Sequence, residues 1–294
     1  MKGCHICLIL FWVALSACTS DVDEKLEVQL PIGFTATTDI DAREVASPTI
    51  TNMSVYAYYT GSSSWEAYNK TSVTPNFMSN QKIAKSENSD TWTYSPIKYW
   101  PNTVNDKISF FAYTPFEETS KESGSKITFD NNGDPSFTCT LPSVIPTSEP
   151  NLFLASLTDQ TKNAPNLTFN FKYALTKVSF KVENQTGADI TVSSLQITAP
   201  QVGAFKFGGT NNGYTCVAEG NSLSTEFTTA TLPSAAISTG ATSGSLGTCY
   251  LLPDNTHVTC KLSYNASGEK TFSLGNTEKE WTSGGSITYN LILK

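Results

Sequence analysis

The sequence has few of the residues on which most active sites depend. Charged residues make up 15% of its 294 residues, and it contains two histidines. His5 lies in an apolar N-terminal stretch, so His257 is the single histidine of the rest of the chain. A histidine pair or a multi-histidine metal site is therefore excluded. After residue 17 the sequence also lacks the CxxC, G-x-S-x-G and phosphate-binding glycine motifs, and we predict no enzyme activity, no metal and no cofactor.

The sequence also lacks any sustained apolar repeat of 3.6 residues, so long amphipathic helices are not expected. Short alternations of apolar and polar residues recur instead, separated by clusters of glycine, proline, asparagine and aspartate. Alternation with a period of two is typical of strands, and the pattern predicts an all-β chain of sandwich type. The net charge of −7 disfavours a nucleic-acid partner.

The first 17 residues have the build of a secretory signal peptide. Lys2 precedes an apolar run over residues 6–15, which is too short to stay in a membrane as a spanning helix. The sequence LSAC at residues 15–18 then forms a bacterial lipobox, in which small residues precede a cysteine that is acylated. We therefore predict that Cys18 begins the mature chain and carries a lipid, the alternative being an ordinary cleaved signal peptide.

A cluster of acidic residues, DVDE at residues 21–24, follows the lipobox. Such an acidic start resembles the signal that sends lipoproteins of the Bacteroidota to the outer face of the outer membrane. The alternative is a merely solvated tether. We predict an outer-membrane lipoprotein that is displayed on the cell surface through its lipid anchor.

The tether leads into a candidate strand over Leu26–Phe34 and then into a polar linker. Pro31 has no N–H group to donate, so this strand belongs at the edge of a sheet. Arg43, followed by Glu44, is the only arginine of the chain and lies in the linker. The alternating apolar residues of the strand are Val28, Leu30, Ile32 and Phe34.

The stretch Asn166–Asn184 joins two strands of opposite phase. Its apolar residues fall on odd numbers over 167–175 and on even numbers over 178–182. A slip of one residue sends every following side chain to the opposite face, so the chain must bulge, turn or change sheets over residues 174–177. We therefore divide the chain into a signal peptide (1–17), a lipidated tether with edge strand and linker (18–49), and two β-sandwich domains (50–165, with strand 26–34, and 166–294).

Four blocks of this sequence occur in the order found in one known family. Residues 171–182 match F-x-H-a-l-x-K-v-x-F-x-V, with Tyr173 where that family usually has histidine. Residues 92–115 match W-x-Y…Y-W-P…FFAY-P, and residues 251–289 match a carboxyl-terminal signature. Residues 151–155 resemble D-L-m-y-A, with Asn151 in place of the aspartate. The chain thus resembles the Bacteroidales fimbrillins. The resemblance implies two tandem transthyretin-like β-sandwich domains in a structural or adhesive subunit of a fimbria (pilus), with other pilin subunits as partners and a surface receptor that the sequence does not identify.

In the polymerising fimbrillins a trypsin-like protease cuts after an arginine in the corresponding linker, which implies processing between Arg43 and Glu44. Loss of the strand over residues 26–34 would then open a groove that a carboxyl-terminal strand of the next subunit fills. The alternative for Arg43 is an ordinary solvated side chain in an extended linker. The candidate donor residues are Ile287, Tyr289, Leu291 and Leu293.

The second function that the sequence supports is that of a monomeric, surface-tethered glycan-binding lipoprotein. Its basis is the aromatic block over residues 91–115, whose rings would stack on sugars if exposed. The simpler interpretation is that Trp92, Trp100 and Phe110 fill a core. Residues 62–90 are polar and turn-rich, and we expect an exposed excursion there. The two functions are separated by the burial of Trp65, Trp92, Trp100 and Trp281.

Four of the seven cysteines remain after the predicted lipidation and loss of the signal peptide. A tight turn at Asp254-Asn255 would make a hairpin that places Cys249 opposite Cys260, at a Cα distance of roughly 4.5–5.5 Å that a disulfide bridges. The alternative is a pair of buried free thiols. A bridge between Cys139 and Cys216 is not expected, because these residues fall in different predicted domains.

Overall fold

The computed structural model describes residues 29–38, 49–68, 74–116, 126–130, 135–148, 150–207, 214–228, 232, 235–254, 256–275 and 281–294. The predicted signal peptide, the lipidation site Cys18 and the cleavage site at Arg43 and Glu44 lie outside these residues. Every regular element in the described ranges is a β-strand, which confirms the predicted all-β fold. None of the described residues forms a helix of the length and apolar character needed to cross a membrane.

Sixteen strands follow one another in the described part of the chain. Most are short, because glycine, proline and asparagine clusters interrupt the apolar alternation. The strands are β1 Gly33–Thr38, β2 Asn52–Gly61, β3 Met78–Lys85, β4 Trp92–Thr93, β5 Lys107–Thr114, β6 Lys126–Asp130, β7 Ser136–Thr140, β8 Phe153–Gln160, β9 Asn166–Tyr173, β10 Thr176–Asn184, β11 Val192–Phe207, β12 Tyr214–Thr228, β13 Gly247–Leu251, β14 Thr259–Tyr264, β15 Gly268–Ser273 and β16 Ser286–Leu293.

The described strands form three sheets. A seven-stranded sheet has the order β1-β9-β8-β5-β2-β3-β4, and a three-stranded sheet has the order β13-β10-β16. A six-stranded sheet has the order β15-β14-β11-β7-β6, and in it β12 also pairs with β11. β1 pairs parallel with β9, and β16 pairs parallel with β10. The first described strand is therefore paired in parallel with the first half of the central stretch, and the last described strand is paired in parallel with its second half.

Three apolar cores hold these sheets together. The first core lies inside the seven-stranded sheet, where β1 and β9 fold over β2, β5 and β8. The second core lies between the three-stranded and six-stranded sheets. The third core lies between the opposite face of β2, β5 and β8 and the end of the six-stranded sheet formed by β7 and β11.

The central stretch passes from one core to another where the phase slip predicts it. In β9, Phe169 and Phe171 are buried in the first core, whereas in β10 Val178 and Phe180 are buried in the second. Ala174, between the two strands, is buried in the third core. Of the three predicted outcomes, a bulge, a turn or a change of sheets, the structure shows a change of sheets.

Sheet membership does not follow the predicted division at residues 165 and 166. β9 pairs with β1 and β8, which precede it, and β7 pairs with β11. The physical reason is the length of β11, because over 16 residues its first half pairs with β14 and its second half pairs with β7. The same strand thus supplies Ile197 to the second core and Phe205 to the third.

The expected exposed excursion instead carries a strand and a buried tryptophan. β3 pairs with β2, and its Ile83 is buried in the first core. Trp65 packs on Tyr58 and Phe111, with ring centroids 5.2 and 5.0 Å apart, and its backbone N–H donates to Asp159. The expectation was wrong because the buried residues of this region are separated by runs of polar ones, which leaves no alternation to detect.

Asn184, at the end of β10, is completely buried, and its side chain joins two loops to the strand. Its Nδ2 donates to the carbonyls of Ala188 and Ile237, each at 2.8 Å. Its Oδ1 accepts from the Thr186 N–H at 3.0 Å and from the Thr186 hydroxyl at 2.9 Å. Each polar atom of the amide therefore has a partner in the protein interior.

We predict that Asn184→Ala lowers the free energy of unfolding by about 2–4 kcal/mol, because it leaves several buried backbone groups without partners. Urea unfolding followed by tryptophan fluorescence measures the loss. Asn290→Ala, on the exposed face of β16, is the matched control and should change the free energy by less than about 0.5 kcal/mol. Equal effects of the two substitutions would contradict the role given to Asn184.

Candidate functional site

The candidate site is the slot that β1 fills at the edge of the first core. β1 lies parallel to β9, in a register that pairs Gly33 with Asn166 and Thr38 with Phe171. The Gly33 N–H donates to the Pro165 carbonyl at 3.0 Å, just before β9 begins. One side of the strand is therefore bonded to the first half of the central stretch.

The other side of the slot is formed by the segment that follows β4. The Ile32 N–H donates to the Lys98 carbonyl at 3.0 Å, and the Trp100 N–H donates to the Leu30 carbonyl at 2.9 Å. Pro31 lies between these two bonds, neither of which uses its nitrogen. A proline is therefore accommodated at this position without loss of a backbone hydrogen bond.

The strand lies further along the chain than its apolar alternation predicts. Pairing with β9 covers the whole of β1, whereas the predicted strand was Leu26–Phe34. Of the four residues predicted to face the core, Ile32 and Phe34 are buried, Leu30 is 38% exposed, and Val28 lies outside the described residues. The difference arises because regular pairing begins only where β9 begins.

Aromatic side chains surround the buried part of β1. The ring centroid of Phe34 lies 5.3 Å from that of Tyr94, 5.8 Å from that of Phe110 and 6.0 Å from that of Phe169. The first two contacts are edge-to-face and the third is stacked, arrangements that add to the gain from burying apolar area. Phe34 is therefore the main apolar anchor of the strand.

Tyr94 adds a side-chain hydrogen bond to the segment just before β1. Its hydroxyl donates to the Ile32 carbonyl at 2.9 Å, and the Lys98 N–H donates to the hydroxyl oxygen at 3.3 Å. Burial raises the pKa of Tyr94, so the hydroxyl keeps its proton at neutral pH. This contact was not predicted from the sequence, because Tyr94 is one of several aromatic residues in its block and no spacing distinguishes it from the others.

The four tryptophans in the described part of the chain pack against cores and do not form a surface array. Trp65, Trp100 and Trp281 are 8%, 3% and 6% exposed, and Trp92 packs half-buried against the first core. Burial of three of the four removes the feature on which the glycan-binding interpretation depends. The interpretation that Trp100 and Phe110 fill a core is confirmed.

The candidate donor residues all lie in β16. Tyr289, Leu291 and Leu293 are buried in the second core, and Ile287 packs half-buried against it. The Trp281 indole donates to the Tyr289 hydroxyl at 2.8 Å. Among the described strands β10 is the only partner of β16, so β16 is an edge of the three-stranded sheet.

The predicted hairpin between Cys249 and Cys260 is wrong. Cys249 lies in β13, which pairs with β10, and Cys260 lies in β14, which pairs with β11 and β15. The two thiols are free and enter the second core from different sheets. Cys139 and Cys216, expected in separate domains, lie in β7 and β12 on either side of β11. No group of three or more metal-binding side chains occurs among the described residues.

A family model for fimbrillin-like proteins matches residues 32–294, which include the slot and every strand described above. The chain belongs to the fimbrillin-like family. No curated protein matches its sequence.

Two solved structures similar to this fimbrillin-like chain are candidate cell adhesion proteins. That of Bacteroides uniformis has 14% identity, a TM-score of 0.49 and coverage of 90% of this chain and 93% of its own. That of Bacteroides ovatus has 15% identity, a TM-score of 0.47 and coverage of 90% and 92%.

The buried thiols of this fimbrillin-like chain should be unreactive while it is folded. Burial raises the pKa of Cys249 to about 12 and also raises that of Cys260, so neither forms a thiolate near pH 8. We predict that iodoacetamide modifies neither residue in native buffer and both in denaturant, as located by peptide mass spectrometry. Modification of either in native buffer at the denatured rate would contradict this burial.

Proposed function

We propose that this fimbrillin-like protein is a structural or adhesive subunit of a cell-surface fimbria, and that β1 is the strand exchanged between subunits. The observation that carries the proposal is the position of β1 and the residue before it, which place Phe34 and Ile32 in the first core although they precede the linker that contains Arg43. A cut between Arg43 and Glu44 would separate β1 from the rest of the chain and leave every other described strand intact.

Removal of β1 and the segment before it would expose the apolar surface of the slot at a moderate cost in free energy. Ile32 and Phe34 each contribute about 1.5–3 kcal/mol when buried, or about 3–6 kcal/mol together. This sum counts two of the four alternating apolar residues, since Leu30 is 38% exposed and Val28 lies outside the described residues. An incoming strand recovers this free energy when it pairs with β9 and places two large apolar side chains at the same positions.

β16 has the pattern that the slot requires. It lies parallel to β10 as β1 lies parallel to β9, and it presents alternating apolar residues to its core. Withdrawal of Tyr289, Leu291 and Leu293 from the second core would cost about 4.5–9 kcal/mol, which is more than the burial of Ile32 and Phe34 contributes. We therefore propose that the donor is the last strand of a subunit of the same or a related type, captured when it is not packed in its own second core.

We further propose that Cys18 carries a lipid and that the tether displays the subunit on the outer face of the outer membrane. The lipobox over residues 15–18 and the acidic residues over 21–24 support this proposal. Each methylene of an acyl chain contributes ~0.8 kcal/mol on entering the bilayer, so a lipid with two or three chains gives stable attachment.

Surface display is tested on whole cells. We predict that added protease removes the protein before the outer membrane is permeabilised, because the lipid holds the chain outside it. Cys18→Ser should appear in the soluble fraction instead of the membrane fraction. Survival of the wild-type chain until permeabilisation would contradict the outward orientation.

Strand exchange is tested with purified protein and a protease specific for arginine, which has a single target because Arg43 is the only arginine. We predict that the cut chain loses its N-terminal peptide and forms oligomers, because the open slot binds a strand of another subunit. Arg43→Ala should stay uncut and monomeric. Light scattering after size-exclusion chromatography gives the mass, and a chain that is cut and remains monomeric would refute exchange through this strand.

A further inference from the structure

Pairing with β9 runs along the whole of β1, but the hydrogen bonds that join β1 and its preceding segment to parts of the chain outside β9 lie at one end. There the Ile32 N–H donates to Lys98 on one side, and the Gly33 N–H donates to Pro165 on the other, each at 3.0 Å. The Tyr94 hydroxyl donates to the Ile32 carbonyl at the same place. This end of the strand is therefore bonded on both sides and to a half-buried side chain.

The other end of β1 is held more weakly. Over residues 35–38, β9 is the only strand among the described ones that pairs with it. Thr35 and Thr37 are exposed, and Ala36 is the one apolar side chain that packs against the first core. Among the described residues, the one short side-chain hydrogen bond of this stretch, 2.7 Å between the hydroxyls of Thr35 and Thr168, is exposed to solvent. The Thr37 hydroxyl lies 3.4 Å from both the Phe169 carbonyl and the Asn170 Oδ1, at the long limit of a hydrogen bond.

We propose that β1 opens from its Thr38 end and that Tyr94 is the retaining residue. Its hydrogen bond to the Ile32 carbonyl sets the rate at which the Ile32 end opens afterwards. The linker with Arg43 joins β1 at the weak end, so a cut in the linker frees the end that opens first. The contacts of Ile32 and Phe34 then break last, because they carry the apolar burial and the bonds to both sides. This inference rests on the proposed release of β1, to which it adds a direction and a controlling residue.

Hydrogen exchange on the intact, uncut protein tests the direction of opening. Local opening at the Thr38 end exposes the amides of Thr35 and Thr37 before those of Ile32 and Gly33. We expect the first pair to exchange at least about tenfold faster than the second, read residue by residue by NMR. Equal exchange along the strand, or faster exchange at Ile32, would overturn the proposed direction.

Tyr94→Phe tests the retaining residue, because it removes the hydroxyl and keeps the ring beside Phe34. We expect exchange of Ile32 and Gly33 to become about two- to tenfold faster, as expected for loss of one hydrogen bond, with no change at Leu291 in β16. Tyr99→Phe, an exposed tyrosine in the same segment, is the matched control and should change neither rate. Identical exchange in the Tyr94 and Tyr99 variants would overturn the role of Tyr94.

These measurements need neither cleavage nor assembly. A cut chain that fails to form oligomers would count against the proposed function, whereas the exchange gradient of the uncut chain would still decide the direction of opening. After a cut at Arg43, the Tyr94→Phe chain should also release its N-terminal peptide faster than the Tyr99→Phe chain.

Discussion

The change of phase between β9 and β10 is the constraint on which the rest of the structure depends. Because side chains alternate along a strand, the slip forces the chain to leave the first core at Tyr173 and enter the second at Val178. Each half of the stretch then accepts one terminal strand in parallel, β1 beside β9 and β16 beside β10. β1, which we propose is exchanged, and β16, the candidate donor, are thus placed equivalently by one continuous piece of chain.

The long strand β11 connects two of the three cores. Its first half pairs with β14 and contributes Ile197 to the second core, and its second half pairs with β7 and contributes Phe205 to the third. β1 contributes to the first core alone. Its departure would therefore expose Phe169 and Trp100 while the second and third cores keep all their described members.

Alternation along single strands was predictable from the sequence, and pairing between distant strands was not. The phase slip follows from a local pattern that a two-residue period makes visible, and the burial of Trp100 was the simpler interpretation of its aromatic block. Trp65 and Ile83 are buried by contacts with distant strands, and the polar residues around them hide that outcome. The predicted hairpin between Cys249 and Cys260 was wrong for the same reason, because β13 pairs with the distant strand β10 and not with β14, the next strand in the chain. Both situations occur in the slot. The burial of Phe34 was predicted from its strand, whereas the contact of Tyr94 with Ile32 depends on the position of a loop, which the sequence does not predict.

The most direct test of strand exchange is a cross-link between β9 of one subunit and β16 of another. Thr168 is exposed on β9 opposite Thr35, and Asn290 is exposed on β16. Thr168→Cys chains are mixed with Asn290→Cys chains, and the mixture is cut after Arg43 and then oxidised. A second mixture with Thr288→Cys chains tests a register two residues away. If β16 replaces β1, disulfide-linked dimers of the two variants form in the cut mixture and not in the uncut one. Oligomers that contain no such link in either register would contradict the account.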